Sequence, residues 1–162
     1  HLRDALKRDV SSEALRALEH LDPWYRQGAR SDLNVPGAAL ALLPLVVLAF
    51  GTTFAIHFPD AEGDAIAGKK TLVVRLGPAR ASRLAAFSIT AGFAAFCLLP
   101  LAGVPLPAAL LPLAAAPLAG WLVFRLVRGD GQRPGAWDSL NFWSAGLLMA
   151  TAGLQGVGLL LG

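Results

Sequence analysis

Residues 84–124, LAAFSITAGFAAFCLLPLAGVPLPAALLPLAAAPLAGWLVF, contain no Lys, Arg, Asp or Glu. A helix needs about 20 apolar residues to cross the hydrocarbon core of a bilayer. This run is roughly twice that long, and Pro100, Gly103, Pro105 and Pro107 fall near its middle. Such a cluster breaks helices and favours a tight turn. The run therefore predicts two spans, 84–101 and 106–124. The flanking runs 37–58 and 139–162 are also uncharged, and each holds one more span. Together the uncharged runs make up more than half of a 162-residue chain that is only 15% charged. An ordinary soluble domain carries about 25% charged residues. The expected fold class is all-α: an integral membrane helical bundle of about four transmembrane helices.

This distribution argues against a soluble enzyme, a disordered chain and a nucleic-acid module. The pI is 9.6, but the basic residues lie in the segments that flank the spans, where they set orientation. Loop 59–83 carries Lys69, Lys70, Arg75, Arg80 and Arg83, and loop 125–138 carries Arg125, Arg128 and Arg133. The turn 102–105 has no basic residue. The positive-inside rule places both basic loops in the cytoplasm, although the basic residues of the N-terminal segment oppose that orientation. Residues 1–35 read as a polar connector. Ser11 or Ser12 caps a short helix there that carries Leu15 and Leu18, and Trp24 and Tyr25 suit a membrane–water interface. Residues 36–162 form the transmembrane portion. The chain opens on His1, which reads as the start of a fragment.

Within the spans, Pro44 predicts a kink and Gln155 an interhelical hydrogen bond. Gly153, Gly156, Gly158 and Gly162 favour close helix packing. Pro112 and Pro117 are tolerated as membrane prolines. Asp138 is placed as the N-cap of the last span. Trp121, Trp137 and Trp143 suit interfacial or packing roles, and Cys97 and Met149 fill the core.

The polar information is densest at the end of the first span: His57-Phe58-Pro59-Asp60-Ala61-Glu62-Gly63-Asp64, then Gly68-Lys69-Lys70-Thr71. If a helix resumes after Pro59, Asp60 and Asp64 share one face. Two carboxylates one turn apart repel each other, and a metal ion relieves that repulsion. Mg²⁺ is commonly held by one or two carboxylates, with waters and phosphate oxygens completing its shell. Cations close behind acidic ligands fit a phosphate lying between them. The pattern suits a lipid diphosphate whose tail lies among the helices. On composition alone, a solvated loop with ordinary charges reads equally well.

Phe58-Pro59-Asp60-x-Glu62-Gly63-Asp64, followed by Gly68-Lys69-Lys70-Thr71-Leu72-Val73-Val74-Arg75-Leu76-Gly77, resembles the second aspartate-rich motif of the UbiA superfamily of intramembrane prenyltransferases. It is most similar to the branch typified by 1,4-dihydroxy-2-naphthoate prenyltransferase. The resemblance implies part of a nine-helix membrane fold and Mg²⁺-dependent transfer of a prenyl group from a prenyl diphosphate to an aromatic acceptor. It implies Asp60 and Asp64 as metal ligands at the catalytic centre, and Lys69, Lys70 and Arg75 as diphosphate-binding residues. Thr71 supports the loop. The implied setting is quinone synthesis, menaquinone above all, in the lipid bilayer of a bacterial inner membrane. Two departures stand out. Ile56 occupies a position where the family usually has Asn, and His57 follows it. The family's first motif, Asn-Asp-x-x-Asp-x-x-x-Asp, does not occur, and Asp4 and Asp9 lack its spacing. The chain is therefore expected to supply half of a site. The alternative is a non-catalytic membrane protein that binds a lipid diphosphate or a partner. A phosphotransferase of CDP-alcohols lacks support, because its Asp-Gly-x-x-Ala-Arg pattern does not occur.

Overall fold

The computed structural model describes the backbone of residues 35–161 and the side chains of residues 39–161. The short helix expected around Leu15 and Leu18, with Trp24 and Tyr25, lies outside the described residues. Four segments are long and apolar enough to cross a membrane: Ala39–His57, Pro78–Ala102, Leu106–Val127 and Pro134–Leu161. No strand occurs among the described residues. The fold is an all-α membrane bundle, as the uncharged runs indicate.

The helices are α1 (Val35–His57), α2 (Ala61–Ile66), α3 (Leu72–Leu76), α4 (Pro78–Leu98), α5 (Leu106–Leu110), α6 (Ala116–Val127) and α7 (Trp137–Leu161). The first hairpin turns where the proline and glycine cluster requires it. A 3₁₀ turn, Leu99–Ala102, ends at Gly103 with φ +79°, a left-handed conformation that glycine adopts without steric cost. Val104 N–H then reaches back to the Leu99 carbonyl at 3.2 Å.

The element boundaries differ from the uncharged runs in three places. First, α4 begins at Pro78, ahead of Arg80 and Arg83, because Gly77 at φ +74° leads directly into a proline in the first turn, where its missing N–H costs nothing. Both arginines are exposed and can extend along the helix to the interface. Second, the third span is not one helix. A 3₁₀ segment, Leu111–Ala115, separates α5 from α6. Pro112 and Pro117 stand in the first turns of that segment and of α6, where ordinary i→i−4 bonding is interrupted. Third, Asp138 is not an N-cap. The helix α7 starts one residue earlier, and Asp138 lies inside its first turn. A carboxylate there still faces the positive end of the helix dipole.

In lipid there is no hydrophobic force between helices, so close packing of small residues holds them together. α4 packs on α6, and α5 with its following 3₁₀ turn packs on α7. A methyl group at Gly158 would lie 2.5 Å from the Ala108 Cα and the Pro107 carbonyl oxygen. At Gly92 it would lie 3.2 Å from Leu48 and from the Pro44 carbonyl oxygen. By contrast, Gly153 and Gly156 face open space and Gly162 lies outside the described residues, so the expected close packing is found at Gly158. Cys97 and Met149, expected to fill the core, are exposed instead. Two buried hydroxyls are satisfied within their own helices: Ser88 donates to the Leu84 carbonyl and Thr151 to the Leu147 carbonyl.

Pro44 lies inside α1, where it removes one backbone donor and opens the preceding turn. Gln155 Nε2, from the fully buried side of α7, donates to the Ala41 carbonyl in that turn. The carbonyl that loses its i→i−4 donor to Pro44 is that of Leu40. Gln155 bonds the next one, joining α7 to α1 beside the proline, and its own Oε1 has no partner among the described residues. Gln155→Leu is expected to cost about 1 kcal/mol, the scale of an interhelical hydrogen bond in a membrane. Reversible unfolding in mixed micelles measures it. An unchanged midpoint would assign the bond no role.

Candidate functional site

The two basic loops meet at one end of the bundle. There the loop after α6 touches Phe58, at the end of α1, and Ser82, in the first turns of α4. The aspartate-bearing segment starts at that point. Asp60 occupies the N-cap position of α2, and the Asp64 N–H donates to the Asp60 carbonyl at 2.8 Å. A helix thus resumes after Pro59, as the side-sharing of Asp60 and Asp64 requires. Asp60 is exposed and Asp64 is buried.

The end of α2 explains how Lys69 comes to Asp64. Gly68 has φ +72°. Gly68 N–H donates to the Ala65 carbonyl at 3.1 Å, and Lys69 N–H donates to the Asp64 carbonyl at 2.8 Å. This is the glycine-dependent helix termination known as a Schellman motif. It folds the chain back so that Lys69 Nζ sits 2.9 Å from Asp64 Oδ1. Gly68→Ala would force a side chain into the left-handed region, at a cost of about 1 kcal/mol.

The hydrogen bond and the charge of Asp64 hold the Lys69 ammonium above its ordinary pKa of 10.5, with Asp60 adding a weaker pull and a small desolvation effect opposing them. A raised folded value means that the pair's contribution is complete below the ordinary pKa. It is lost only as pH rises through the higher folded value. Lys69 is therefore cationic throughout the neutral range. Nitrogen NMR of labelled lysine should show it titrating above 10.5 in the intact protein and returning to the ordinary range in Asp64→Asn. Equal titration in both would show that Asp64 does not hold it.

Lys70 and Arg75 are exposed and have no carboxylate partner among the described residues. Thr71 begins α3 without a side-chain capping bond, and its buried hydroxyl oxygen has no hydrogen-bond partner among the described residues. His57 is half-buried in the last turn of α1, and Ile56 is exposed. The structure thus brings Asp60, Asp64 and Lys69 together. It leaves Lys70 and Arg75 on the surface of the same loop. A cavity of about 310 Å³ lies beside α2, lined by Phe58, Ala61, Ala65, Val73 and Trp137, with Glu62 at its edge.

Two carboxylate side chains offer the hard oxygen donors that Mg²⁺ takes, and waters and phosphate oxygens commonly complete such a shell. Among the described residues no third His, Cys, Asp or Glu joins them. The donor set therefore fits a metal that is shared with a phosphate, rather than one caged by protein.

Asp130 was not singled out in the sequence. It is buried in a loop that otherwise carries arginines, and it pairs with both Arg125 and Arg133. An acidic residue between two arginines in a short basic loop is the signal that would have marked it.

No curated protein and no solved structure matches the chain. The UbiA prenyltransferase family matches residues 24–151, a stretch that holds α1 to α6, both loops and much of α7. With that much of its length matched, the chain belongs to the UbiA prenyltransferase family.

Proposed function

We propose that this chain serves Mg²⁺-dependent transfer of a prenyl group from a prenyl diphosphate to an aromatic acceptor in quinone or related lipid biosynthesis. The observation that carries this reading is the pairing of buried Asp64 with Lys69, beside Asp60, at the polar end of an apolar bundle. In this reading Asp60 and Asp64 hold the metal. When bound, Mg²⁺ offsets charge on the leaving diphosphate. Lys69, Lys70 and Arg75 bind the diphosphate oxygens through charge-assisted hydrogen bonds. The allylic C–O bond breaks, and the diphosphate leaves with the electron pair. A ring carbon of the acceptor attacks the allylic carbon, and the ring loses a proton. The apolar spans keep water away from the cation.

The similarity of residues 58–77 to the dihydroxynaphthoate branch makes a naphthoate the first acceptor to try and menaquinone synthesis the setting. The basic loops orient the site toward the cytoplasm of a bacterial inner membrane. Residues 1–35 act as a connector to the transmembrane portion, 36–162.

The test uses the full-length protein in lipid nanodiscs, with a radiolabelled prenyl diphosphate and a panel of hydroxylated naphthoates and benzoates. Product that forms with Mg²⁺ and disappears with chelator supports the reading. The lack of an Asn-Asp-x-x-Asp-x-x-x-Asp motif in this sequence favours a second reading, a membrane protein that binds a lipid diphosphate or a partner without turnover. Binding with no product under any acceptor would select it.

A further inference from the structure

We propose that the loop from Asp130 to Trp137 positions the aspartate-bearing turn, acting through Phe58; this rests on the prenyltransferase reading above. The loop is held from three sides. Arg125 Nε donates to Asp130 Oδ2, and Arg133 Nη1 donates to Asp130 Oδ1 at 3.2 Å. Arg125 Nη1 also donates to Ser139 Oγ at 2.7 Å, which ties the loop to the start of α7. Trp137 Nε1 donates to the Gly131 carbonyl at 3.0 Å. Asp130 keeps only 11% of its side chain exposed. A carboxylate so buried is sustained only by good pairing, so its two arginines fix the loop in one arrangement.

The clamped backbone then bears on one side chain. Gly131 packs so tightly that a methyl group there would overlap Ser82 Oγ and lie 2.9 Å from the Phe58 ring. To admit the methyl group, Ser82 Oγ would have to leave its 2.8 Å bond to the Pro78 carbonyl and the Phe58 ring would have to shift. Phe58 is 1% exposed. It stands two residues before Asp60, and its carbonyl accepts the first N–H of α2, from Ala61. Phe58 and Trp137 also form the wall of the cavity beside Ala61 and Ala65. A six-residue helix is too short to hold itself in place. The Gly131–Phe58 contact therefore sets where α2, and with it Asp60 and Asp64, can sit.

Amide hydrogen exchange of the full-length protein in nanodiscs tests this without metal or substrate. Gly131→Ala is expected to speed exchange at least about tenfold at the Asp64, Ala67 and Lys69 amides, while amides of the inner half of α7 keep their wild-type rates. Adding Ser82→Gly, which makes room for the methyl group, should recover part of the protection. Mn²⁺ titration should show about tenfold weaker binding in Gly131→Ala. Unchanged exchange in α2, or acceleration spread evenly through α7, would overturn the proposal. Should Gly131→Ala fail to fold, Asp130→Asn decides in its place: faster exchange confined to α2 supports the role, and wild-type rates overturn it. Because exchange is read without substrate, a wild-type protein that transfers no prenyl group would count against the proposed function and leave this result standing.

Discussion

Asp64→Asn is expected to lower prenyl transfer by about a thousandfold or more, equivalent to roughly 4 kcal/mol of transition-state stabilisation. The substitution keeps the size and one carbonyl oxygen of the side chain but removes the charge. A neutral amide is a poor Mg²⁺ ligand beside a carboxylate, so the charge that develops on the leaving diphosphate loses its main counterweight. Asp64 also holds Lys69 at 2.9 Å, so the variant releases a cation that the diphosphate would otherwise meet in a fixed place. Asp60→Asn should lose activity on the same scale and leave the Lys69 pair intact. The unfolding midpoint should move little in either variant, because Lys69 is largely exposed and exposed ion pairs add little stability. Steady-state rates and thermal unfolding of the three proteins check this. Wild-type rates in Asp64→Asn would remove the aspartate from the mechanism.

Gly158→Leu is expected to destabilise the bundle by about 3 kcal/mol, at the upper end for an overpacked interior. The reason is what the added carbons meet. A Cβ at this position would lie 2.5 Å from the Ala108 Cα and the Pro107 carbonyl oxygen. Both are backbone atoms, held by a proline-bearing helix start, and cannot rotate aside. α7 would have to separate from α5. Gly153→Ala is the contrast, since nothing lies within 4 Å of its Cβ position. It should be neutral or slightly stabilising, because alanine is the better helix former by about 1 kcal/mol. Unfolding in mixed micelles measures both. Equal effects at the two positions would contradict the packing described for Gly158.

The spans were legible because charge is excluded from them over lengths that only a membrane explains. The hairpin at Gly103 and the bond from Gln155 were legible for related reasons. A proline and glycine cluster has few conformations, and an amide deep in lipid must find a partner. The helix starts at Pro78 and Trp137 were not legible, because arginines extend along a helix end and a carboxylate suits the first turn as well as the cap. The break between α5 and α6 lay hidden in an apolar run where two prolines could be absorbed in several ways. At the candidate site, the spacing of Asp60 and Asp64 could be read from helical periodicity. The approach of Lys69 to Asp64 depends on the left-handed Gly68, and a glycine's presence does not reveal which sign of φ it takes. The clasp of Arg125, Asp130 and Ser139 joins residues 5 and 14 positions apart across an irregular loop, where no periodicity relates partners.

The most direct test of the central claim is electron paramagnetic resonance of Mn²⁺ in the full-length protein, with a prenyl thiolodiphosphate that resists ionisation. The account predicts Mn²⁺ coupled to the phosphorus nuclei of the ligand in the wild type, and loss of that bound signal in Asp60→Ala and Asp64→Ala. Mn²⁺ and ligand bound equally well in both variants would contradict it.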